Sequence, residues 1–232
     1  MALTMGVAMI CARDEPFADL SIASIIDWVD KIVIVGDANQ ETLNRIFTHP
    51  YASKKIKYIF RKWDNDYGSA RQKAVDELDT VWCIQLDMDE IIGDTPHLFN
   101  VFMQSDVDVY SMKYRHFIRT FSLEDATIHE HIGINRFFKN KGVKYNRPLH
   151  EYAESPEWHK EGIIRDIIIW HLGYLKGVNA IQDKYIMNKG RSPIHDTEFI
   201  KMWHDAHLLG QYPVSPVAPE ELPRLIRQRF EL

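Results

Sequence analysis

The first hundred residues alternate between apolar runs of strand length and segments whose apolar residues recur at helical spacing. Four runs predict strands, since each is short and rich in β-branched or aromatic residues: MGVAMI, KIVIV, KIKYIF and VWCIQL. Between the first two, Ile22, Ile25, Ile26 and Val29 fall on one helical face, and GSARQKAVDELD has a similar face. Strands that alternate with helices predict an α/β fold, a mostly parallel sheet sandwiched by helices.

The pattern changes after about residue 105. The segments VDVYSMKYRHF, INRFFKN, GVKYN and GIIRDIIIW predict antiparallel or mixed strands. Helical patterns follow near residues 177–189 and 197–209, and a proline-rich segment precedes a short final helix, PRLIRQRF. We therefore predict one domain at residues 1–190 and a C-terminal helical, proline-rich extension at 191–232 that packs on it.

The composition is that of an ordinary globular protein. The chain has 232 residues, of which 45% are hydrophobic and 26% charged, with a formal net charge of −5. This charge does not favour a nucleic-acid partner, and no apolar run approaches the ~20 residues that span a bilayer. Cys11 and Cys83 lie at or in predicted strands, so we expect no disulfide framework and predict a cytoplasmic location.

Polar residues follow each of the four predicted strands, in the segments CARDE, GDANQ, RKWDNDYGSAR and DMDE. In an open parallel sheet these ends meet at the edge where ligands bind. Strand termination and helix capping explain any one of these residues. Their presence at all four ends, with Arg13 and Arg71 among them, predicts an anionic or nucleotide ligand.

Asp87 and Asp89 are the candidate metal ligands. If the segment is extended, residues two apart point the same way, so both carboxylates face one cation while Met88 points into the protein. Carboxylate oxygens suit Mg²⁺ or Mn²⁺, which commonly complete their coordination with water and substrate phosphates. The sequence therefore predicts a Mg²⁺ or Mn²⁺ site for a diphosphate, and this scheme gives Glu90 no role.

Several segments resemble, in order and spacing, the blocks of family 2 glycosyltransferases of the GT-A fold: MICARDE, IVIVGDANQETL, WDNDYGSARQKAV and IQLDMDEII. INRFFKNKGVKYNRPLHEY and WHLGY are similar to the later blocks of a bacterial and phage-like branch. The resemblance covers residues 5–190 and implies metal-dependent transfer of a sugar, with inversion, from a nucleoside-diphosphate sugar to an acceptor hydroxyl. The donor it favours is a UDP-sugar. The segment DANQET departs from the family pattern beyond Asp37.

The resemblance also implies a role for each site residue by its position. The nucleotide contacts are Ala12, Arg13, Asp37, Asp66, Arg71 and Asp87. The metal ligands are Asp87, Asp89 and His171, and the imidazole favours Mn²⁺ somewhat over Mg²⁺. Glu151 is the base that takes the proton of the acceptor hydroxyl. Two residues have simpler alternatives: His171 as a buried structural histidine, and Glu151 as a surface acid after a proline turn.

Three other functions stay open at this point. A haloacid-dehalogenase-like phosphohydrolase would use Asp87 as nucleophile and Asp89 as general acid, but Ile91 stands where those enzymes favour Thr or Val. A sugar-nucleotide pyrophosphorylase needs a glycine-rich, basic first loop that the sequence lacks. A non-catalytic nucleotide-binding module would keep the fold but would not need Asp89, His171 and Glu151 together. The acceptor is not predicted, and the apolar tail makes a homo-oligomer conceivable.

Overall fold

In the computed structural model, the described residues are 3–127, 131–146, 151–188, 201 and 205–231. Ten of the strands among them form one sheet. Its first half is parallel: β1 (Met5–Cys11) lies between β2 (Lys31–Gly36) and β4 (Trp82–Asp87), and β3 (Ile56–Phe60) pairs with β2. The four strands predicted from the apolar runs are confirmed.

Helices cover both faces of these parallel strands. In chain order they are α1 (Ala18–Ile25), α2 (Gln40–Ile46), α3 (Ala52–Lys55), α4 (Tyr67–Asp76) and α5 (Phe99–Met103). Side chains alternate along β1, so Val7 and Met9 share one apolar cluster with α1, whereas Ala8 and Ile10 share another with α4. Burial on both faces explains why β1 is apolar throughout rather than alternately polar.

The second half of the sheet is mixed. Its strands are β5 (Glu90–Ile92), β6 (Val109–Ile118), β7 (Thr120–Asp125), β8 (His131–Lys139) and β11 (Glu161–His171). β8 joins the two halves, running antiparallel to both β4 and β6. β11 runs parallel to β6 and antiparallel to β5. Two short strands, β9 (Lys144–Tyr145) and β10 (Ala153–Glu154), pair separately. The mixed strands expected after residue 105 are confirmed.

The described part of the C-terminal extension packs on the same sheet. β12 (Val214–Pro216) pairs antiparallel with β7, and the final helix predicted from PRLIRQRF is α7 (Arg224–Phe230). Val217, Leu222 and Ile226 are buried in a cluster with Leu20 and Trp170. The predicted boundary at 190/191 lies outside the described residues, as does most of the predicted helix at 197–209, so the division into two segments stays a prediction.

Three smaller expectations concern a helix, the thiols and the membrane. α6 (Val178–Asn188) confirms the helix predicted near 177–189. Cys11 and Cys83 are buried free thiols. Among the described residues, no helix combines the length and the hydropathy required to cross a membrane.

Candidate active site

The loops after β1, β2 and β4 begin at one edge of the sheet. In the register of these strands, Cys11 pairs with Gly36 and Ile10 with Asp87, so the three strands end together. A Cβ on Gly36 would lie 1.9 Å from the Cys11 carbonyl oxygen, so only glycine fits there. The chain therefore leaves β2 close to β1 and places Asp37 directly at this edge.

Asp37 has a carboxylate oxygen without a hydrogen-bond partner in the described part of the chain. Its Oδ2 accepts from the backbone N–H of Trp63 at 3.3 Å, whereas Oδ1 is buried and unpaired. A buried acceptor without a partner costs free energy, which a ligand N–H or O–H would offset. Ala12 and Arg13 are exposed, and the Asn39 N–H donates to the Arg13 carbonyl at 2.8 Å. This bond ties together the loops after β1 and β2, which carry three predicted nucleotide contacts.

Asp66 caps α4 and so sets the direction of that helix. Its carboxylate accepts from the Ser69 N–H at 2.9 Å and from the Ser69 hydroxyl at 2.6 Å. An N-cap of this kind satisfies backbone donors that the first helical turn leaves free. The capping alternative therefore describes what Asp66 does in the protein, and its nucleotide contact stays a prediction. One turn further on, Arg71 lies on the buried face of α4.

Arg71 joins two of the predicted site residues. Its Nη1 and Nη2 donate to the two carboxylate oxygens of Asp87 at 2.5 and 3.0 Å, and its Nε donates to Glu151 at 2.5 Å. Arg71 is 5% exposed and Glu151 8%, so water competes little for these bonds. Burial raises the pKa of Asp87, but the charge and hydrogen bonds of Arg71, together with the charge of Arg136, hold it below its usual value. The structure thus brings Arg71, Asp87 and Glu151 together with Asp87 ionised.

The chain turns at Met88 and Asp89, between β4 and β5. The expectation of an extended segment is therefore wrong, although Met88 is 1% exposed and points into the core as expected. Because of the turn, the two aspartates bond to different groups. Asp87 uses both oxygens on Arg71, whereas Asp89 faces His171 at the end of β11 and Lys176 beyond it.

Glu90, which the predicted metal scheme leaves unexplained, fixes this turn. Its Oε2 accepts from the Asp87 N–H at 2.8 Å, and its Oε1 lies 3.1 Å from Arg136 Nη2. Burial, together with the charges of Asp87 and Asp89, raises the pKa of Glu90 to about 8, although Arg136 opposes this shift. An acid three residues after another acid at a strand end is the available sequence signal, since carboxylates commonly close turns on nearby backbone N–H groups.

Lys176 and Glu15 belong to the site and were not predicted. Lys176 Nζ lies 2.9 Å from Asp89 Oδ2 and 2.5 Å from Glu15 Oε2. Burial and the Asp89 charge raise the pKa of Glu15 to about 7. Burial alone would lower the pKa of Lys176, but Asp89 and Glu15 raise it above its usual value. Glu15 and Lys176 are 161 positions apart, so no local pattern links them.

His171 is the last residue of β11 and is 8% exposed. Its Nε2 lies 3.9 Å from Asp89 Oδ2, and its Nδ1 lies 3.0 Å from His116 Nδ1. Two ligands about 2.1 Å from one ion lie about 3 Å apart at a right angle and about 4 Å apart when opposite, so this pair fits a divalent cation. Gly173 adjoins both side chains: a Cβ there would lie 2.5 Å from His171 Nε2 and 2.9 Å from Asp89 Oδ2.

Protein ligands alone do not complete such a site. Within the described ranges, no group of three or more His, Cys, Asp or Glu side chains is placed to hold a metal ion. The other positions around a cation at Asp89 and His171 would therefore fall to water and to substrate oxygens, as is usual for Mg²⁺ and Mn²⁺.

No protein-family model matches the sequence, and no curated protein is similar to it. Solved structures share its fold. S. aureus TarS 1-349 has a TM-score of 0.53 at 12% identity, over 90% of this chain and 71% of that one. The same TarS chain in complex with UDP-GlcNAc gives 0.52 at 11% identity, over 90% and 71%.

The chain has the GT-A fold. A longer TarS chain gives a TM-score of 0.53 at 13% identity, and this chain covers 90% of its own length but 43% of that protein. At such low identity the likeness concerns the fold alone. The GT-A-like α/β fold predicted from the sequence is confirmed, and the candidate site lies where β1, β2 and β4 of this GT-A fold end.

Proposed function

We propose that the protein is a glycosyltransferase that moves a sugar from a nucleoside-diphosphate sugar, most readily a UDP-sugar, to an acceptor hydroxyl. The observation that carries the proposal is the Asp89–His171 pair beside the Arg71–Asp87 bridge, at the edge where the parallel strands end. The TarS structures in complex with UDP and with UDP-GlcNAc support this donor class for a shared fold.

The nucleoside would lie against the loops after β1 and β2. The buried, unpaired Oδ1 of Asp37 is an acceptor for an N–H of the base or an O–H of the ribose. Ala12 and Arg13 on the neighbouring loop, and Asp66 at the start of α4, would make further nucleotide contacts. Arg71 would keep the Asp87 carboxylate fixed beneath the diphosphate rather than free to move.

Asp89 and His171 would hold the divalent ion, Mn²⁺ or Mg²⁺, and the imidazole favours Mn²⁺. When bound, such an ion neutralises the negative charge that develops on the departing nucleoside diphosphate. Asp87 stays a proposed metal ligand as well, since each of its oxygens keeps a second lone pair beside its bond to Arg71. Asp87 would also orient Arg71 and, through it, Glu151.

Glu151 is the proposed base of an inverting transfer. Its carboxylate is buried and held by Arg71 Nε at 2.5 Å, so it has a fixed direction. An inverting reaction needs one group that takes the acceptor proton as the oxygen attacks the anomeric carbon. Glu151→Gln should therefore keep UDP binding and lose transfer, and equal transfer rates would exclude Glu151 as the base.

The decisive experiment is a screen of UDP-sugars in which UDP release is followed with Mn²⁺, with Mg²⁺ and with EDTA. We expect release from at least one donor, its loss in EDTA, and its loss in Asp89→Asn. Asp64→Asn is the matched control, since Asp64 is an exposed acid bonded to Arg61 on the loop after β3. Unchanged release in Asp89→Asn would show that the proposed site is wrong.

The phosphohydrolase alternative gains no support from the GT-A fold. Its nucleophile, Asp87, has both oxygens bonded to a buried guanidinium, which fixes its orientation and lowers its nucleophilicity. Cleavage of p-nitrophenyl phosphate that Asp87→Asn abolishes would reverse this preference. The acceptor is unassigned, and the cytoplasmic location and a homo-oligomer stay predictions from the sequence.

A further inference from the structure

A positive charge of the protein itself is bonded to the proposed metal ligand. Lys176 Nζ lies 2.9 Å from Asp89 Oδ2, the same oxygen that lies 3.9 Å from His171 Nε2. The ammonium is also 2.5 Å from Glu15, and the Lys176 side chain is 17% exposed. It is therefore a partly buried cation between two carboxylates, held on the oxygen that a metal ion would use.

We propose that Lys176 is a tethered cation that occupies Asp89 until a divalent ion displaces it. This inference rests on the proposed function, because it assumes that Asp89 and His171 form the metal site. Two cations on one carboxylate oxygen repel each other strongly at a separation of about 4 Å. The free protein should therefore bind Mn²⁺ weakly, and the negative diphosphate of the donor should favour entry of the ion by attracting the released ammonium.

A purely structural ion pair makes the opposite prediction. If Lys176 only held the chain after β11 against Asp89, its removal would loosen the site and weaken metal binding. If it competes with the metal, its removal should tighten metal binding. The vacated position would then adjoin two carboxylates, those of Glu15 and Asp89. The direction of the change in Mn²⁺ affinity therefore separates the two roles.

The test is Mn²⁺ binding to the full chain, without nucleotide, measured by isothermal titration calorimetry. Lys176→Met keeps most of the aliphatic side chain and removes the charge. We expect its Kd for Mn²⁺ to fall by at least about tenfold, because a like charge within ~4 Å of the ion is gone. Lys176→Arg keeps the charge and should bind Mn²⁺ as weakly as the wild type.

Lys139→Met is the matched control. Lys139 is a partly buried lysine whose Nζ lies 2.7 Å from Asp108. In the strand register of β8 and β4 it lies opposite Trp82, at the end of β4 that is far from Asp87. Its replacement should leave the Mn²⁺ affinity unchanged. Circular dichroism confirms the fold of each variant, and Lys176→Gln replaces Lys176→Met if the latter does not fold.

An equal or weaker Mn²⁺ affinity in the folded Lys176→Met or Lys176→Gln variant overturns the inference, as does the absence of Mn²⁺ binding to any of these proteins. The proposed function is tested separately: it fails if the wild type releases UDP from none of the UDP-sugars. A wild type that transfers sugar while the variant shows no tighter binding refutes only the role of Lys176. Tighter Mn²⁺ binding in the Lys176 variant, together with a wild type that transfers no sugar, refutes only the proposed function.

Discussion

Replacement of Arg71 by methionine is expected to destabilise the protein strongly and to free both carboxylates that Arg71 holds. Arg71 is 5% exposed and makes three charged hydrogen bonds, two to Asp87 and one to Glu151. Methionine fills a similar volume without charge. The variant therefore changes the electrostatics of the site more than its packing, and it leaves two acids without their cation.

The magnitude follows from burial. Removal of one partner of a buried ion pair costs about 3–5 kcal/mol, because the remaining charge is uncompensated. The Asp87 side chain keeps 23% of its exposure, so water can solvate part of the freed charge. Loss of the Glu151 contact adds less than a second full penalty, since energies within one network are not additive. We expect a loss of about 3–4 kcal/mol at pH 7, a large part of a typical total of about 5–15 kcal/mol.

The loss should also depend on pH in a defined direction. In the wild type, the folded pKa of Asp87 is lowered, because burial raises it less than Arg71 and Arg136 together lower it. The ionised Asp87 therefore stabilises the fold above its unfolded pKa, and this stabilisation is lost as pH falls through the folded pKa. In Arg71→Met the lowering charge is absent and burial dominates, so the pKa rises. Protonation of Asp87 at acidic pH then removes the uncompensated buried charge and makes the variant less unstable. The difference in stability should therefore shrink between pH 7 and pH 4.

Urea unfolding followed by circular dichroism, at pH 7 and pH 4, measures both effects. Arg61→Met is the control, because Arg61 pairs with the exposed Asp64 and its replacement should change stability little. A loss below about 1 kcal/mol for Arg71→Met, the range of surface ion pairs, would contradict the reasoning. So would a loss of the same size at both pH values.

Three further changes test other parts of the site. Gly36→Ala should prevent folding, because a Cβ would lie 1.9 Å from the Cys11 carbonyl oxygen; a folded variant with an unchanged Tm would contradict this. Asp37→Ala should weaken UDP binding by about tenfold, the equivalent of one hydrogen bond, with little loss of stability; calorimetry with UDP measures it, and equal affinity would count against the nucleotide site. Glu90→Gln should become more stable relative to the wild type from pH 5 to pH 8. The raised pKa of Glu90, about 8, makes the wild type lose stability as pH rises through this window, and a constant difference in urea midpoint would refute it.

Most of the fold was predictable from the sequence because its strands and helices have local signals. β1 and β2 are continuous apolar runs, as strands buried on both faces require. α4 was predictable from its apolar spacing. Two short strands were not predicted: β5 and β12 have three residues each and are defined by their partners rather than by a pattern of their own.

From the strand pattern alone, the candidate site was predictable where its residues follow strands, whereas the resemblance implied Glu151 and His171. Asp37, Asp87 and Asp89 stand at strand ends, and the parallel register brings those ends together. The side chains that pair with one another in the site were not predictable in the same way. Lys176 reaches Glu15 across 161 positions, and such a contact depends on how β11 crosses the sheet.

The acidic segment at 87–90 is tolerated because each acid has a different cation. Asp87 bonds to Arg71 from α4, Asp89 to Lys176 from the turn after β11, and Glu90 to Arg136 from β8. The side chains of Arg71 and Arg136 are 5% and 9% exposed, and planar guanidinium groups hold their partners rigidly. Lys176 keeps 17% exposure and a flexible aliphatic stem. Of these three cations it is therefore the one that a metal ion can displace at least cost, which places the exchangeable charge at Asp89 and leaves Asp87 and Glu90 to hold the turn.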